Sequence, residues 1–519
     1  MNKFMENKWA LSITAGILLG LSFPPIDLSF LSFPAFILFF LLSDKCDSNK
    51  QLAYYGYAGF VTWNLITTYW LMMASLVAGV AAILANAAIM TIPLVLFRVF
   101  SKKFSRKWII ALLQASIWVS YEFLHHNWDL SWPWLTIGNA WSNQITLIQY
   151  ISATGHLAIS FWVVLTSAFA YLAFKEKSRS IAIAATMSLL MPSGISLLMF
   201  VNSTEPPATN TTFVTVIQPN HDSYFTNGGM SSHNELVDSL FSITNKIKTN
   251  ETELVVWPEN ALDAALYMNS RSVLMLSDSA KKWNTSIIAG TGLFKLYDTP
   301  PVLYRDTYRG EPRNYFNSAI YVDSKGELSR YDKNNLVPIV ERFPFVEFFN
   351  AFDVFGWLNW GKIAGFGKGT SPTSLKDESF TTHGLVCYDS VYPSWIREFV
   401  KDEADFITII TNDGWWGNTS GHHQHFAYAR LRAIEFDRWV VRSANNGISG
   451  IIDPEGKIFE KTDYWERTGF NFDVPSKQTK TIYTRFGDWF GYLCLLLSGI
   501  GLGFITFTQF QHNRSDSNN

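Results

Sequence analysis

Up to about residue 203 the chain is a succession of apolar stretches that contain no Asp, Glu, Lys or Arg: Trp9 to Pro25, Leu28 to Ser43, Gln51 to Phe97, Trp108 to Tyr121, Ser131 to Phe174 and Ser180 to Thr204. A bilayer is crossed by about 20 apolar residues in a helix. Gln51 to Phe97 is long enough for two crossings, with a turn near Met73 to Ser75. Seven spans are expected here and an eighth from Trp489 to about Gln511, giving about eight in all. Composition agrees, since charged residues are 16% of the chain against roughly 25% in soluble proteins. A formal net charge of -2 gives no basic excess for nucleic acid. Lys3 and Lys8 before a short apolar run imitate a signal peptide, but no clear small-residue cleavage site follows and further spans do.

Short-loop cations set the expected orientation, because they favour the cytoplasmic side. Lys3 and Lys8, then Lys45 and Lys50, then Arg98 to Lys107, then Lys175 to Arg179 fall in every second loop, while the loops around Asp27, around Met73 and from Glu122 to Asp129 lack Lys and Arg. Both termini are therefore expected in the cytoplasm. The polar stretch between the last two spans is expected on the opposite face of the inner membrane, the periplasm of a Gram-negative cell.

Composition shifts at Asn202 to Pro207, a plausible linker. The expected division is a transmembrane bundle of seven spans over 1–204, a catalytic domain over 205–487, and a last helix with its tail over 488–519. In the middle part strand-like runs (Phe213 to Ile217, Leu254 to Trp257, Ser286 to Ala289, Ser318 to Val322, Gly384 to Tyr388, Phe406 to Ile410, Trp439 to Val441, Ile448 to Ile452) alternate with amphipathic stretches such as Asn234 to Ile247 and His422 to Asp437. That alternation predicts an α/β domain.

Three residues stand at or just past strand-like runs, where open α/β sheets gather catalytic groups. Cys387 ends Leu385-Val386, Glu259 ends Leu254 to Pro258, and Lys333, in Tyr331-Asp332-Lys333-Asn334, follows the strand-like Ala319 to Val322. The other cysteines, Cys46 among charges and Cys494 in an apolar run, have no such setting, and no Cys pair has metal-type spacing. Taken singly, each of the three has a bland reading: a small buried hydrophobe, a turn carboxylate, a solvated cation. Together they form a set able to move an acyl group, because a thiol needs a neighbouring base or positive charge to act as nucleophile.

The motifs Val255 to Asn260 (VVWPEN), Tyr331 to Pro338 (YDKNNLVP) and Gly384 to Ser390 (GLVCYDS) resemble the Glu, Lys and Cys motifs of the nitrilase, or carbon-nitrogen hydrolase, superfamily. The whole chain resembles the membrane-embedded apolipoprotein N-acyltransferase branch of that superfamily, through Ser22 to Pro25, Trp132 to Leu135, Asn412 to Gly417, Gln424 to Phe426 and Arg442 to Ile448. The resemblance implies an αββα sandwich on a transmembrane α-helical bundle. It implies Glu259 as general base, Cys387 as nucleophile, and Lys333 with the backbone N–H of Tyr388 as oxyanion donors. Glu341 is implied as a second acid beside Lys333. It further implies a glycerophospholipid acyl donor, usually phosphatidylethanolamine, and as acceptor the N-terminal S-diacylglyceryl-cysteine of an apolipoprotein; no cofactor or metal is called for. Asp389 stands where the family would have Glu, and Val340 to Pro344 replaces a more usual Gly-Glu pair.

Phe343 to Trp360 is too rich in aromatics for an ordinary solvated loop. It either packs under the sandwich or forms a lid that dips into the lipid, with Trp357 and Trp360 in the headgroup zone and the glycines from Gly361 to Gly369 allowing movement. Trp415, Trp416 and His425 are candidate lining of the acyl or acceptor pocket, against readings of Trp416 as core and of His425 as a satisfied helix residue. Two other functions compete with acyl transfer: a membrane-tethered amidase, and a transporter or receptor with a periplasmic binding domain. The spans speak against the transporter, because His156 is their sole ionisable candidate.

Overall fold

The protein is described from a computed structural model covering residues 2–203, 210–301, 303–357 and 365–517. It divides into two units, Met1–Ser203 with Phe486–Asn519, and Thr204–Arg485. Most of the expected linker, and Trp360 and Gly361 of the aromatic segment, lie outside the described residues.

The first unit is helical. Its longer helices are Lys8–Ser22, Ser32–Lys45, Asn49–Thr68, Leu76–Lys103, Lys107–His125, Leu157–Glu176, Arg179–Asn202 and Trp489–Ser517. Among the described residues, four stretches are long and apolar enough to cross a membrane: Leu76–Lys103, Leu157–Glu176, Arg179–Asn202 and Trp489–Gln511. The turn expected near Met73 to Ser75 is the short helix Leu71–Ala74 followed by Ser75, whose hydroxyl caps Leu76–Lys103. Trp118 is an aromatic hub in contact with Phe36, Phe60, Trp63 and Phe97. Helices Lys8–Ser22 and Asn49–Thr68 cross backbone against backbone, since a Cβ on Gly16 would lie 2.2 Å from Gly59 O.

One boundary differs from expectation. The helix beginning at Lys107 runs on to His125, so Glu122 is a buried helix residue and not part of a loop. Its Oε1 accepts the Trp118 indole N–H at 2.9 Å and the Ile137 backbone N–H at 2.9 Å. A buried carboxylate is tolerated where donors replace its water. His156 is accordingly not the sole ionisable residue among these helices.

The second unit is built on two sheets. One has eight strands, ordered Thr468–Pro475, Thr211–Gln218, Leu254–Val256, Ser286–Leu296, Glu311–Val322, Asp306–Tyr308, with Ala265–Leu266 and Leu328–Asp332 paired alongside. The other has five, ordered Leu385–Val386, Ile407–Thr411, Val440–Ala444, Gly450–Ile452, Ile458–Lys461. Thr211–Gln218, Leu254–Val256 and Ser286–Leu296 run parallel in the first sheet, and Leu385–Val386, Ile407–Thr411 and Val440–Ala444 in the second. Val214, Val216, Leu254, Val256 and Ile288 of the first sheet share one apolar cluster with Leu385, Ile407, Ile409, Val440 and Ile451 of the second. Each such side chain contributes about 1.5–3 kcal/mol on burial. The Ser443 hydroxyl adds a bond from the second sheet to Ile217 O at 2.8 Å. Residues of opposite strand parity, such as Ile217, Val255 and Ile287, pack on the other face of the first sheet against helices His233–Ile247 and Arg271–Trp283. Helices Pro393–Lys401 and Ser420–Phe436 supply Ile396, Phe399, Phe426 and Ala433 to the larger cluster.

The second of these helices departs from the amphipathic expectation, being buried on nearly all sides. Of its polar residues, His425 meets Asp413 and Ser390, and Arg432 pairs with Glu435 at 3.0 Å.

Candidate active site

The parallel strands deliver their following residues to one end of the sandwich. Glu259 comes just after Leu254–Val256, Cys387 immediately after Leu385–Val386, and Asn412 and Asp413 after Ile407–Thr411. Lys333 follows Leu328–Asp332, a hairpin strand antiparallel to Glu311–Val322 that the sequence pattern did not reveal. Close approach at the Glu259 turn depends on Gly290, where a Cβ would stand 2.5 Å from Glu259 Cα.

Glu259 and Lys333 are buried, and Lys333 Nζ lies 3.7 Å from Glu259 Oε1. Glu341 is nearer to the lysine, at 2.8 Å. Its second oxygen accepts the Val337 N–H at 2.7 Å. Asn317 Nδ2 bridges the two acids, donating to Glu259 Oε1 at 2.7 Å and to Glu341 Oε1 at 3.2 Å, while Asn412 N donates to Glu259 Oε2 at 2.8 Å. Asn317 escaped the sequence reading. Its one signal is an amide inside a strand whose neighbours Phe316, Ser318 and Ala319 are all buried.

Cys387 is partly exposed and opens the 3-10 turn Cys387–Val391 with φ +49°, in the left-handed region. Burial pushes its thiol well above the usual range, the Glu259 carboxylate adds to this, and Lys333 opposes it. At neutral pH the resting sulfur is therefore a thiol that needs a base. Burial likewise raises Glu259 above the ordinary carboxylate range against the pull of Lys333, which suits a proton acceptor working near neutrality. Burial alone would lower the Lys333 ammonium, but Glu341, Cys387 and Glu259 outweigh it and hold its pKa well above the usual value. It stays a cation throughout the physiological range.

Tyr388 is buried next in the turn, edge-on to Tyr392. Asp389 turns the other way: its carboxylate accepts from Tyr331 OH at 2.6 Å, Asn335 N at 2.7 Å and Asn335 Nδ2 at 3.0 Å. It ties the turn of the cysteine to the segment carrying Lys333. With the shorter Asp side chain these three donors close directly on it.

This part of the chain, residues 213–482, matches the family model described as carbon-nitrogen hydrolase over slightly more than half of the sequence. The chain belongs to the carbon-nitrogen hydrolase family. Within it the chain falls in the apolipoprotein N-acyltransferase branch, for residues 15–169 match the model described as apolipoprotein N-acyltransferase N-terminal domain. Similar curated proteins include the apolipoprotein N-acyltransferase of Chlorobaculum tepidum, 28% identical over 96% of this chain and 97% of that one. That of Geobacter metallireducens is 26% identical over 94% and 93%. Among solved structures, an amidase from Nesterenkonia sp. aligns over 53% of this chain and 95% of its own at 15% identity, with a TM-score of 0.36.

The remaining candidates fall in different places on this carbon-nitrogen hydrolase domain. Trp415 is half-exposed, its ring edge-on to Tyr224 and its carbonyl accepting Tyr224 OH at 2.7 Å. Trp416 packs edge-on to His425. His425 itself is fully buried, with Nδ1 2.9 Å from Asp413 Oδ1 and Nε2 3.0 Å from Ser390 Oγ. It thus sits behind the cysteine turn among polar partners instead of lining an open pocket. Trp357 is 81% exposed. Phe348 and Phe352 of the same segment are exposed as well, their ring centroids 4.7 Å apart and the rings tilted by 51°.

Proposed function

We propose that the protein transfers a fatty acyl chain from a glycerophospholipid to the N-terminal α-amine of an S-diacylglyceryl-cysteine apolipoprotein, through a thioester on Cys387. The observation that carries this is the Glu259–Lys333–Cys387 set, with the acid and the lysine buried and the cysteine partly exposed, in a carbon-nitrogen hydrolase domain, on a chain whose helical part matches the acyltransferase N-terminal model. Glu259 takes the thiol proton, and Cys387 attacks the ester carbonyl. Lys333 and the backbone N–H of Tyr388 hold the oxyanion, and Glu259 returns the proton to the departing lysophospholipid. The acceptor amine then attacks the thioester in a ping-pong sequence. Glu341 keeps Lys333 charged and in place.

The same reading takes phosphatidylethanolamine as the usual donor and places the protein in the inner membrane with about eight spans. The alternation of cationic loops supports cytoplasmic termini and a periplasmic catalytic domain. The exposed aromatic segment ending at Trp357 serves as a lid that admits lipid chains.

The test is intact mass of the purified protein after incubation with phosphatidylethanolamine, then after addition of a diacylglyceryl-cysteine peptide, with Cys387→Ala in parallel. One fatty-acyl mass on the parent, absent from Cys387→Ala and passing to the peptide as an amide, is expected. Release of the chain to water with no acylated peptide would replace transfer by hydrolysis.

A further inference from the structure

Apart from the Asn412 N–H that Glu259 accepts, three stretches of the resemblance have no role assigned so far: Asn412 to Gly417, Gln424 to Phe426 and Arg442 to Ile448. Each sends one side chain to the same buried place. Arg442 Nη2 donates to Asp413 Oδ2 at 2.7 Å, and its Nε to Ile448 O at 3.0 Å. Asp413 Oδ1 accepts from Thr411 Oγ1 at 2.8 Å and stands 2.9 Å from His425 Nδ1. The far side of the imidazole meets Ser390 Oγ at 3.0 Å, and the Ser390 hydroxyl donates to the backbone carbonyl of Cys387 at 2.7 Å. With the serine proton committed to that carbonyl, His425 Nε2 is the donor to Ser390, and the neutral ring accepts at Nδ1 from Arg442 Nη2 at 3.1 Å, the guanidinium that Asp413 holds. Asp413, His425, Arg442 and Ser390 are all buried.

The chain of bonds ends on a particular peptide. The carbonyl of Cys387 and the N–H of Tyr388 belong to one rigid plane and point in opposite directions. Holding the carbonyl on one side therefore aims the N–H to the other. This hold acts on a residue whose φ of +49° is unfavourable for any side chain with a Cβ. Resting on Cys387 as the acyl carrier, we propose that Ser390, His425 and Asp413 are positioning residues that lock the Cys387–Tyr388 peptide in place and so aim the Tyr388 N–H at the developing oxyanion. Arg442 is the counter-charge that keeps Asp413 ionised inside the protein.

The test compares two reactions of the same sulfur in the full-length protein. Thioester formation from phosphatidylethanolamine builds an oxyanion; alkylation by iodoacetamide does not. For Ser390→Ala the expected result is a loss of about 10²-fold in single-turnover thioester formation, with an unchanged dependence on phospholipid concentration and alkylation at the parent's rate. His425→Gln, whose amide can still donate to Ser390, should keep more acylation than His425→Leu. Acylation by Ser390→Ala at the parent's rate overturns the proposal, as does an equal fall in both reactions. Should the parent itself take up no acyl group, the proposed function fails. The positioning is then read from crystal structures of parent and Ser390→Ala: a Cys387–Tyr388 peptide that turns in the variant supports it, and one that stays put refutes it.

Discussion

The two sides of Cys387 are both polar and both buried, yet they balance charge differently. On the reacting side one cation, Lys333, faces two carboxylates, at 2.8 and 3.7 Å. On the supporting side one carboxylate, Asp413, meets one guanidinium at 2.7 Å, and the pair is closed by Thr411 and His425. The first arrangement leaves a carboxylate ready to take a proton. The second holds Asp413 well below the usual carboxylate range in spite of burial, chiefly through Arg442 and then His425, so it does not titrate where the enzyme works. Reaction needs a group that can change its charge, whereas support needs one that cannot.

The contrast predicts that removing the counter-charge of the supporting side is read first in stability, and removing that of the reacting side first in rate. The largest effect is expected for Arg442→Met, which strands a fully buried carboxylate. A loss of about 3–5 kcal/mol is expected in denaturant unfolding of the catalytic unit, and an unchanged midpoint would erase the distinction. Lys333→Met should slow thioester formation by about 10²–10³-fold, roughly 3–4 kcal/mol in the barrier, with a smaller cost in stability because the two acids it leaves behind can protonate. A destabilisation as large as that of Arg442→Met would break the comparison from the other side.

Asp389 sharpens it, since burial lifts its carboxyl to about 6 from an ordinary 3.8. A carboxyl raised in the folded state disfavours folding once it must ionise. Stability should thus fall as pH climbs from about 4 to about 6, by up to roughly 3 kcal/mol, and stay level above that. Asp413, lowered in the folded state, contributes with the opposite sign: its stabilisation is present above pH 4 and is lost only as pH drops through its depressed pKa. Asp389→Asn should reduce the pH 4–6 slope of the unfolding curve, leaving the part that the raised Glu259 contributes with the same sign; an undiminished slope would remove Asp389 as its source. The smallest effect on the fold is expected for Trp357→Ser, within about 0.5 kcal/mol for an exposed residue. Its activity should fall more on bilayer phospholipid than on a soluble ester, and equal losses would remove the lid.

The same division marks what could be read in the chain. Glu259 and Cys387 end apolar runs, and a run of Val and Leu announces a buried strand without help from the rest of the molecule. Leu328–Asp332 and Thr468–Pro475 were not visible, because they are only partly buried and their residues do not alternate cleanly. His425 misled: spacing places it on a helix, but only the packed structure reveals that it faces Asp413, which lies on another element. Glu122 misled in the opposite sense, as a charge ended the apolar run while Trp118 and the Ile137 N–H were waiting to receive it. Local pattern reports burial well and reports poorly which buried polar groups will meet.

The elevated pKa of the Cys387 thiol bears on how the protein survives where it works. Thiolates, not thiols, are what peroxides and disulfides attack. A free cysteine ionises near 8.5, so the unfolded chain presents a sulfur more open to oxidation than the folded one does at rest. Cys46 and Cys494 are buried, and folding holds Cys387 in its protonated form. The folded protein thus leaves the Cys387 sulfur less open to oxidation at rest than the unfolded chain does.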